Sequence, residues 1–163
     1  MPGTDKQTLF EQILEENKSR LHMVARANAT ADFCPDLEQE ILLALWSSLD
    51  RYEGRSSLKT WFYRVAFNTV SNFLRRNHRR IRETCLSEAD EPATCNSGHN
   101  RDPLAILEEF TRSLGELDRI VFVMYLDNFS YSEMAEALKA DEANLRVRMS
   151  RVKKLYESRY VGS

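Results

Sequence analysis

Basic and aromatic side chains are concentrated between residues 54 and 82, and this stretch has the clearest chemical potential in the sequence. It carries eight Lys and Arg residues and no Asp or Glu. Cations of this kind can bind phosphates, while aromatic and amide groups can stack on unpaired bases or hydrogen-bond to them. A surface helix that binds nothing is expected to mix both signs of charge. The composition therefore predicts a surface for single-stranded nucleic acid.

A helical projection from Ser57 to about Arg82 predicts which side chains form that surface. The predicted buried stripe consists of Leu58, Trp61, Phe62, Val65, Thr69 and Phe73. Tyr63 and Phe67 fall outside this stripe, so we expect them on the outer surface. The polar residues predicted there are Lys59, Arg64, Asn68, Asn72, Arg75, Arg76 and Arg79, with Tyr52 in the preceding loop.

A second basic segment, residues 143–163, has six bases and one acid and completes a predicted helix-turn-helix. Ser130 and Glu133 have the spacing of a capping box at the start of the first helix of the motif. In the second helix we expect Asn144 to act as a cap. Its predicted buried stripe is Leu145, Met149, Val152 and Tyr156, and its predicted basic side chains are Arg146, Arg148, Arg151, Lys153 and Lys154. Such a helix can enter the major groove of duplex DNA.

The rest of the chain is acidic, and one acidic patch has a possible partner. Asp36, Glu38, Gln39 and Glu40 lie at the start of a predicted helix whose apolar residues repeat every four positions. Acids in a first helical turn are favoured by the helix dipole alone. The alternative is a docking face for a basic protein surface.

These patterns predict an all-α protein made of two small helical domains. The first domain, residues 1–82, is an N-terminal helical bundle, and the second, residues 103–163, is a four-helix domain with the helix-turn-helix. Residues 83–102 are polar, without helical periodicity, and are predicted to form a flexible linker. No apolar run approaches the roughly 20 residues that a membrane span needs, and no signal peptide pattern is present, so we expect a cytoplasmic protein.

Catalytic and metal chemistry are poorly supported by the residue types. The three histidines, His22, His78 and His99, are scattered, so an enzyme such as a nuclease is disfavoured. Cys85, Cys95 and His99 do not match a common zinc spacing, and we expect no metal or cofactor. A stand-alone helix-turn-helix regulator stays open as an alternative, although it leaves the acid-free helix without a purpose.

Together these residues resemble a bacterial RNA polymerase sigma factor of the extracytoplasmic-function (ECF) type. Residues 36–80, DLEQEILLALWSSLDRYEGRSSLKTWFYRVAFNTVSNFLRRNHRR, resemble the second conserved region of that family, and residues 114–156 resemble its fourth. The resemblance implies a promoter-specificity subunit with no catalysis of its own. It also implies core RNA polymerase and promoter DNA as partners, and an anti-sigma factor.

The resemblance further implies a role for individual positions. Asp36, Gln39 and Glu40 would dock on core polymerase. Tyr52 and Asn68 would hold a base flipped from the non-template strand of the −10 element. The remaining −10 contacts would come from Lys59, Arg64, Asn72, Arg75, Arg76, Arg79 and Arg80. Duplex −35 DNA would be bound by Asn144, Arg146, Val147, Arg148, Ser150, Arg151 and Lys154.

Two positions depart from the common family pattern. Val147 cannot hydrogen-bond to a base and suits contact with a thymine methyl group. Tyr52 at the −10 pocket is an aromatic substitute that leaves the identity of the preferred flipped base open.

Overall fold

The computed structural model describes residues 3–84 and 102–162, with side chains from residue 5 to 79 and from residue 102 onward. All regular structure in these ranges is helical, as predicted. The elements are α1 (Gly3–Asn28), α2 (Cys34–Ser48), a 3₁₀ turn (Leu49–Arg51), α3 (Leu58–Thr84), α4 (Pro103–Ser113), α5 (Glu116–Leu126), α6 (Tyr131–Leu138) and α7 (Glu142–Tyr160). The predicted linker lies, except at its two ends, outside the described residues.

Helices α1, α2 and α3 form the first domain. Leu37, Ile41 and Leu45 of α2 are completely buried, which confirms the predicted spacing of four. Their partners include Ile13 and Val24 of α1, also completely buried. Burial of one such side chain contributes about 1.5–3 kcal/mol, so this three-helix contact supplies the rigidity of the domain.

The buried side of α3 differs in part from the predicted stripe. Trp61, Phe62 and Phe73 are buried as expected, but the centre of the stripe is Ala66 and Val70. The predicted positions Val65 and Thr69 are only half-buried. The buried side is therefore rotated by about one residue from the predicted stripe.

Helices α4 to α7 form the second domain around Phe110, Ile120 and Met149. The predicted helix-turn-helix is formed by α6 and α7. The capping box is confirmed: Glu133 N donates to Ser130 Oγ at 3.2 Å, and Ser130 N donates to Glu133 Oε2 at 2.8 Å. The expectation that Asn144 caps α7 is wrong.

The residue that caps α7 is Asp141, whose carboxylate accepts a hydrogen bond from Ala143 N at 3.0 Å. A carboxylate just before the first helical residue can reach the free N–H groups there, whereas Asn144 already lies inside the helix. The turn before it is closed by Lys139, which adopts a left-handed conformation with φ of 51°.

The two domains pack against each other, α1 against α4 and α5, and α3 against α6. The prediction that Tyr63 lies on the outer surface is wrong, because its side chain is completely buried at this seam. Its ring packs edge-on against Phe129 of the second domain, with centroids 4.8 Å apart. Its hydroxyl donates to Asp127 Oδ2 at 3.0 Å. Phe129 and Asp127 of the second domain are among the groups that enclose Tyr63, and a projection of α3 alone does not contain them.

We expect Ser130→Ala to lower the free energy of unfolding by about 1 kcal/mol, because it removes the cap of α6. Ser132→Ala, an exposed change two residues away, is the matched control and should have a smaller effect.

The Ser130 backbone N–H and side chain lower the pKa of Glu133 below its ordinary 4.5. Glu133→Gln should therefore destabilise the protein near neutral pH, and this difference should shrink as pH falls through and below about 4.5. Urea unfolding followed by circular dichroism measures both effects, and a difference that grows in acid would contradict the assignment.

We expect Tyr63→Phe to lower the free energy of unfolding by about 1 kcal/mol at neutral pH, because a hydrogen bond to the part-buried Asp127 carboxylate is lost. Burial and the Asp127 carboxylate raise the pKa of Tyr63. A raised pKa means that this stabilisation is present below the unfolded value of about 10 and is lost as pH rises above it. The gap between the two proteins should thus close in alkali. Tyr160→Phe, at a ring that packs on Phe110, is the control and should cost less at neutral pH; a gap that widens in alkali would refute the account.

Candidate nucleic-acid interface

One exposed polar stripe runs along α3 on the side opposite its buried residues. Asn68, Asn72, Arg75 and Arg79 are all exposed and follow one another at intervals of four, three and four. This spacing places them on a single face of the helix. Two amides at one end and two guanidinium groups at the other can contact bases and phosphates of one strand. The structure thus brings together four of the nine residues predicted for −10 DNA.

Lys59 and Arg64 do not belong to this stripe, because both reach the second domain. Lys59 Nζ donates to the Asp127 carbonyl at 2.8 Å and lies over the Phe129 ring, 4.1 Å from its centroid. Arg64 Nη2 donates to the Glu136 carbonyl at 3.3 Å. The Arg64 Nε is buried and has no hydrogen-bond partner among the described residues. Two predicted DNA cations are therefore held by protein groups.

The other three predicted −10 residues lie in separate surroundings. Tyr52 is half-buried; its hydroxyl donates to the Ser56 carbonyl at 2.7 Å and its ring contacts Trp61. Arg76 turns toward α2, where it pairs with Glu40. The side chain of Arg80 lies outside the described residues. Tyr52 is thus fixed by its loop, and Arg76 lies between the predicted DNA and docking surfaces.

The predicted docking patch on α2 is accessible. Asp36 and Gln39 are exposed, and Glu40 is half-buried beside its partner Arg76. All three residues line one groove between α2 and α3, together with the exposed Phe33. The patch is therefore acidic at the start of α2 and basic across the groove, with an aromatic side chain at its edge.

The outer face of α7 carries most of the residues predicted for −35 DNA. Asn144, Val147, Ser150, Arg151 and Lys154 are exposed, opposite the buried Leu145, Met149 and Val152. Half of the Val147 surface is open, so its methyl groups are available for apolar contact. The major groove of duplex DNA is wide enough to admit an α-helix that presents such a face.

Arg146 and Arg148 lie at the two edges of that face and already have protein partners. Arg146 Nη2 donates to Glu142 Oε1 at 2.6 Å, and its guanidinium lies over the Tyr131 ring. Arg148 Nη1 donates to Asp118 Oδ1 of α5 at 2.7 Å. This ion pair therefore connects α7 to α5.

Lys153, next to Lys154 in the sequence, is another base of α7 that has a protein partner. Its ammonium lies over the Tyr125 ring, 4.4 Å from the centroid, and a hydrogen bond with that tyrosine raises the pKa of Lys153. Its charge is thus directed at α5 and away from the outer face.

Metal and membrane chemistry find no support in the part of the chain that the structure describes. No group of three or more His, Cys, Asp or Glu residues there could hold a metal ion. The predicted free thiols Cys85 and Cys95, with His99, lie outside those residues; Cys34 is free and buried, and burial raises the pKa of its thiol. None of the described helices has the length and apolar character to cross a membrane.

The sequence did not reveal the seam between the domains. Asp127, which ends α5, contacts Arg20, Lys59 and Tyr63, and Phe129 is buried beside it. An acid and a phenylalanine in a short turn carry no periodic signal. The one available signal was an apolar Phe129 in a turn that is otherwise polar.

Comparison with known protein families gives two matches, one in each domain. The family described as Sigma-70 region 2 matches residues 13–80, and Sigma-70, region 4 matches residues 104–155. The first match covers the docking patch and the α3 stripe, and the second covers the helix-turn-helix.

Two solved structures share the fold. They are the sigma factor RpoE in complex with the anti-sigma factor NepR from Bartonella quintana, and CnrH in complex with the cytosolic domain of CnrY. The first has a TM-score of 0.75 at 20% identity and covers 91% of this chain and 94% of that one. The second has a TM-score of 0.68 at 19% identity and covers 96% and 90%.

Curated relatives agree with the family matches. The chain is 30% identical over 141 residues to the ECF RNA polymerase sigma-E factor of Haemophilus influenzae, which covers 77% of this chain and 73% of the relative. It is 29% identical over 139 residues to the ECF RNA polymerase sigma-E factor of Escherichia coli K12, covering 77% and 72%. With both conserved regions in order, on the predicted helices, the chain belongs to the ECF family of RNA polymerase sigma factors.

Proposed function

We propose that this protein directs core RNA polymerase to promoters and stabilises strand opening, without catalytic chemistry of its own. The observation that carries the proposal is the pair of exposed polar faces, the α3 stripe and the outer face of α7, on two different domains of a sigma-factor fold. A transcription initiation factor of this kind works where the polymerase is, in the cytoplasm.

The first domain, residues 1–82, would dock on polymerase and bind the −10 element. Asp36, Gln39 and Glu40 form the docking patch, and the groove beside them extends it toward Arg76. A surface with both charges suits a partner helix that also carries both. Burial of Phe33 would add apolar area to the contact.

On the α3 stripe, the amides of Asn68 and Asn72 would contact unpaired bases of the −10 element. Arg75 and Arg79, one and two turns further along, would hold the backbone phosphates. Tyr52, Lys59, Arg64, Arg76 and Arg80 are the further proposed contacts. Stacking or hydrogen bonding of an unpaired base contributes about 1–3 kcal/mol per base, and this free energy favours the open duplex.

The second domain, residues 103–163, would bind the −35 element as duplex through the outer face of α7. Arg151 and Lys154 would contact phosphates or base edges, and Val147 a thymine methyl group. Asn144, Ser150, Arg146 and Arg148 complete the proposed contact. Since Arg146 and Arg148 also have protein partners, we expect them to contribute less to DNA affinity than Arg151 and Lys154.

An anti-sigma factor is a further proposed partner. Support comes from the two structural neighbours, each of which was solved in a complex, one with an anti-sigma factor. Such a protein would compete with polymerase or DNA for the faces described above.

We expect the double variant Asp36→Ala, Gln39→Ala to lose binding to core polymerase by at least about tenfold, because two exposed polar contacts disappear while the core of α2 is untouched. Glu11→Ala with Gln12→Ala, an exposed acid and amide on α1, is the matched control and should bind like the unaltered protein. Co-purification and fluorescence anisotropy with core enzyme measure the effect. Equal affinity of the two double variants would remove the docking assignment.

We expect Asn68→Ala to reduce run-off transcription from a promoter library by about tenfold while binding to core polymerase is unchanged, because the variant loses a contact made only with separated strands. Gln12→Ala, which truncates an exposed amide on α1 outside the stripe, is the matched control. Permanganate reactivity of unpaired thymines reports opening directly. Normal opening by Asn68→Ala would overturn the pocket, and tight duplex binding without polymerase would favour a stand-alone regulator.

A further inference from the structure

We infer that Asp127 is an intramolecular latch: it holds the two domains closed and withholds Lys59 from DNA until the chain opens on polymerase and promoter. The inference rests on the proposed function, since it assigns a regulatory state to the same −10 surface. Three observations support it: the contacts that Asp127 makes, its position at the end of α5, and the size of the closed protein compared with the distance between the promoter elements.

The contacts of Asp127 join the two domains. Its Oδ2 atom accepts from Arg20 Nε at 2.6 Å and from the Tyr63 hydroxyl at 3.0 Å, and Lys59 Nζ lies 3.7 Å from it. All three groups belong to the first domain. The side chain of Asp127 is only 19% exposed, so water screens these contacts less than those of surface ion pairs.

The position of Asp127 makes it dependent on the other domain. It is the C-cap of α5, where the helix dipole disfavours a negative charge. Arg20 and Lys59, which offset that charge, come from α1 and α3. A carboxylate in this place has its stabilising partners only while the domains are closed.

The same contacts occupy cations that the −10 strand would need. Lys59 contacts the Asp127 carbonyl, the Asp127 carboxylate and the Phe129 ring, and 31% of its side chain is exposed. Arg64 is directed to the Glu136 carbonyl, and its Nε is left without a partner. A DNA phosphate would compete with Asp127 for Lys59 and could satisfy Arg64 more completely. The closed form therefore presents an incomplete −10 surface.

The closed protein is too small to contact both promoter elements at the same time. The two elements are named by their positions, −35 and −10, so they lie about 25 base pairs apart; at 3.4 Å per base pair this is about 85 Å of duplex. A compact chain of this length has a radius of gyration of about 15 Å and a diameter of about 40 Å. Closed domains cannot lie on both elements, so promoter binding must break the seam at Asp127.

The fraction of molecules in the open form then sets the apparent affinity for single-stranded DNA. If the open form is a minor population, the apparent dissociation constant for single-stranded DNA is raised by the inverse of that population. A closed majority of nine in ten would weaken binding about tenfold. Loss of the latch should remove this factor without changing any residue on the exposed stripe.

The test uses the full chain, a mixed-sequence 12-nucleotide single strand as probe, and small-angle X-ray scattering. We expect Asp127→Asn to raise the radius of gyration from about 15 Å toward about 20 Å. Its anisotropy-measured affinity for the probe should rise about tenfold. Asp50→Asn is the charge-matched control: it makes the same substitution and breaks an ion pair, with Lys6, inside the first domain. It should resemble the unaltered protein in both measurements.

Arg20→Gln gives an independent variant from the other side of the seam. It removes a positive charge, so without a latch it should bind DNA no more tightly than the unaltered protein. The latch predicts tighter binding and a larger radius. An unchanged radius in both variants, with Asp127→Asn binding no tighter than Asp50→Asn, would overturn the inference. Run-off transcription by the unaltered protein with core polymerase tests the proposed function separately, since it would fail only if that function were wrong.

Discussion

The polar seam around Asp127 is the interaction on which the arrangement of this molecule depends. Buried apolar side chains form one continuous cluster through both domains, which includes Ile41 and Val70 in the first and Phe110 and Met149 in the second. Apolar packing is non-directional, so it does not by itself fix the register of one domain on the other. The seam does so with charged and hydrogen-bonded groups, which are directional and hold the domains in one register. Water can replace the polar partners of Asp127 when the domains separate, which lowers the cost of losing those contacts.

Helix α3 has three sides with three different tasks, and this explains its composition. One side packs into the first domain through Phe62, Ala66 and Val70. A second side contacts the other domain through Lys59 and Tyr63. The third is the exposed stripe of amides and arginines. A carboxylate on the third side would repel phosphates, and one near Lys59 would duplicate Asp127. The absence of acids thus has a physical reason on both polar sides.

Protein carboxylates and DNA phosphates can use the same cations in this fold. Glu40 pairs with Arg76, Asp127 with Lys59, and Asp118 with Arg148. Each base is one that the sequence assigned to DNA. Internal pairs of this kind reduce non-specific attraction to polyanions while leaving the outer stripes free. The chain has a net charge of −2 because its acidic segments offset the two basic ones.

The sequence by itself determined the all-helical fold, the helix-turn-helix with its Ser130 cap, and the exposed polar faces of α3 and α7. These features depend on local periodicity and capping, which a sequence carries directly. Tertiary structure decided the rest. Tyr63 lies off the predicted stripe, yet it is buried because a second domain covers it. Asp127, in a turn, gained its role only when Arg20 and Lys59, more than 60 positions away, reached it. Long-range contacts of single polar residues leave no period in a sequence, so only the folded chain reveals them.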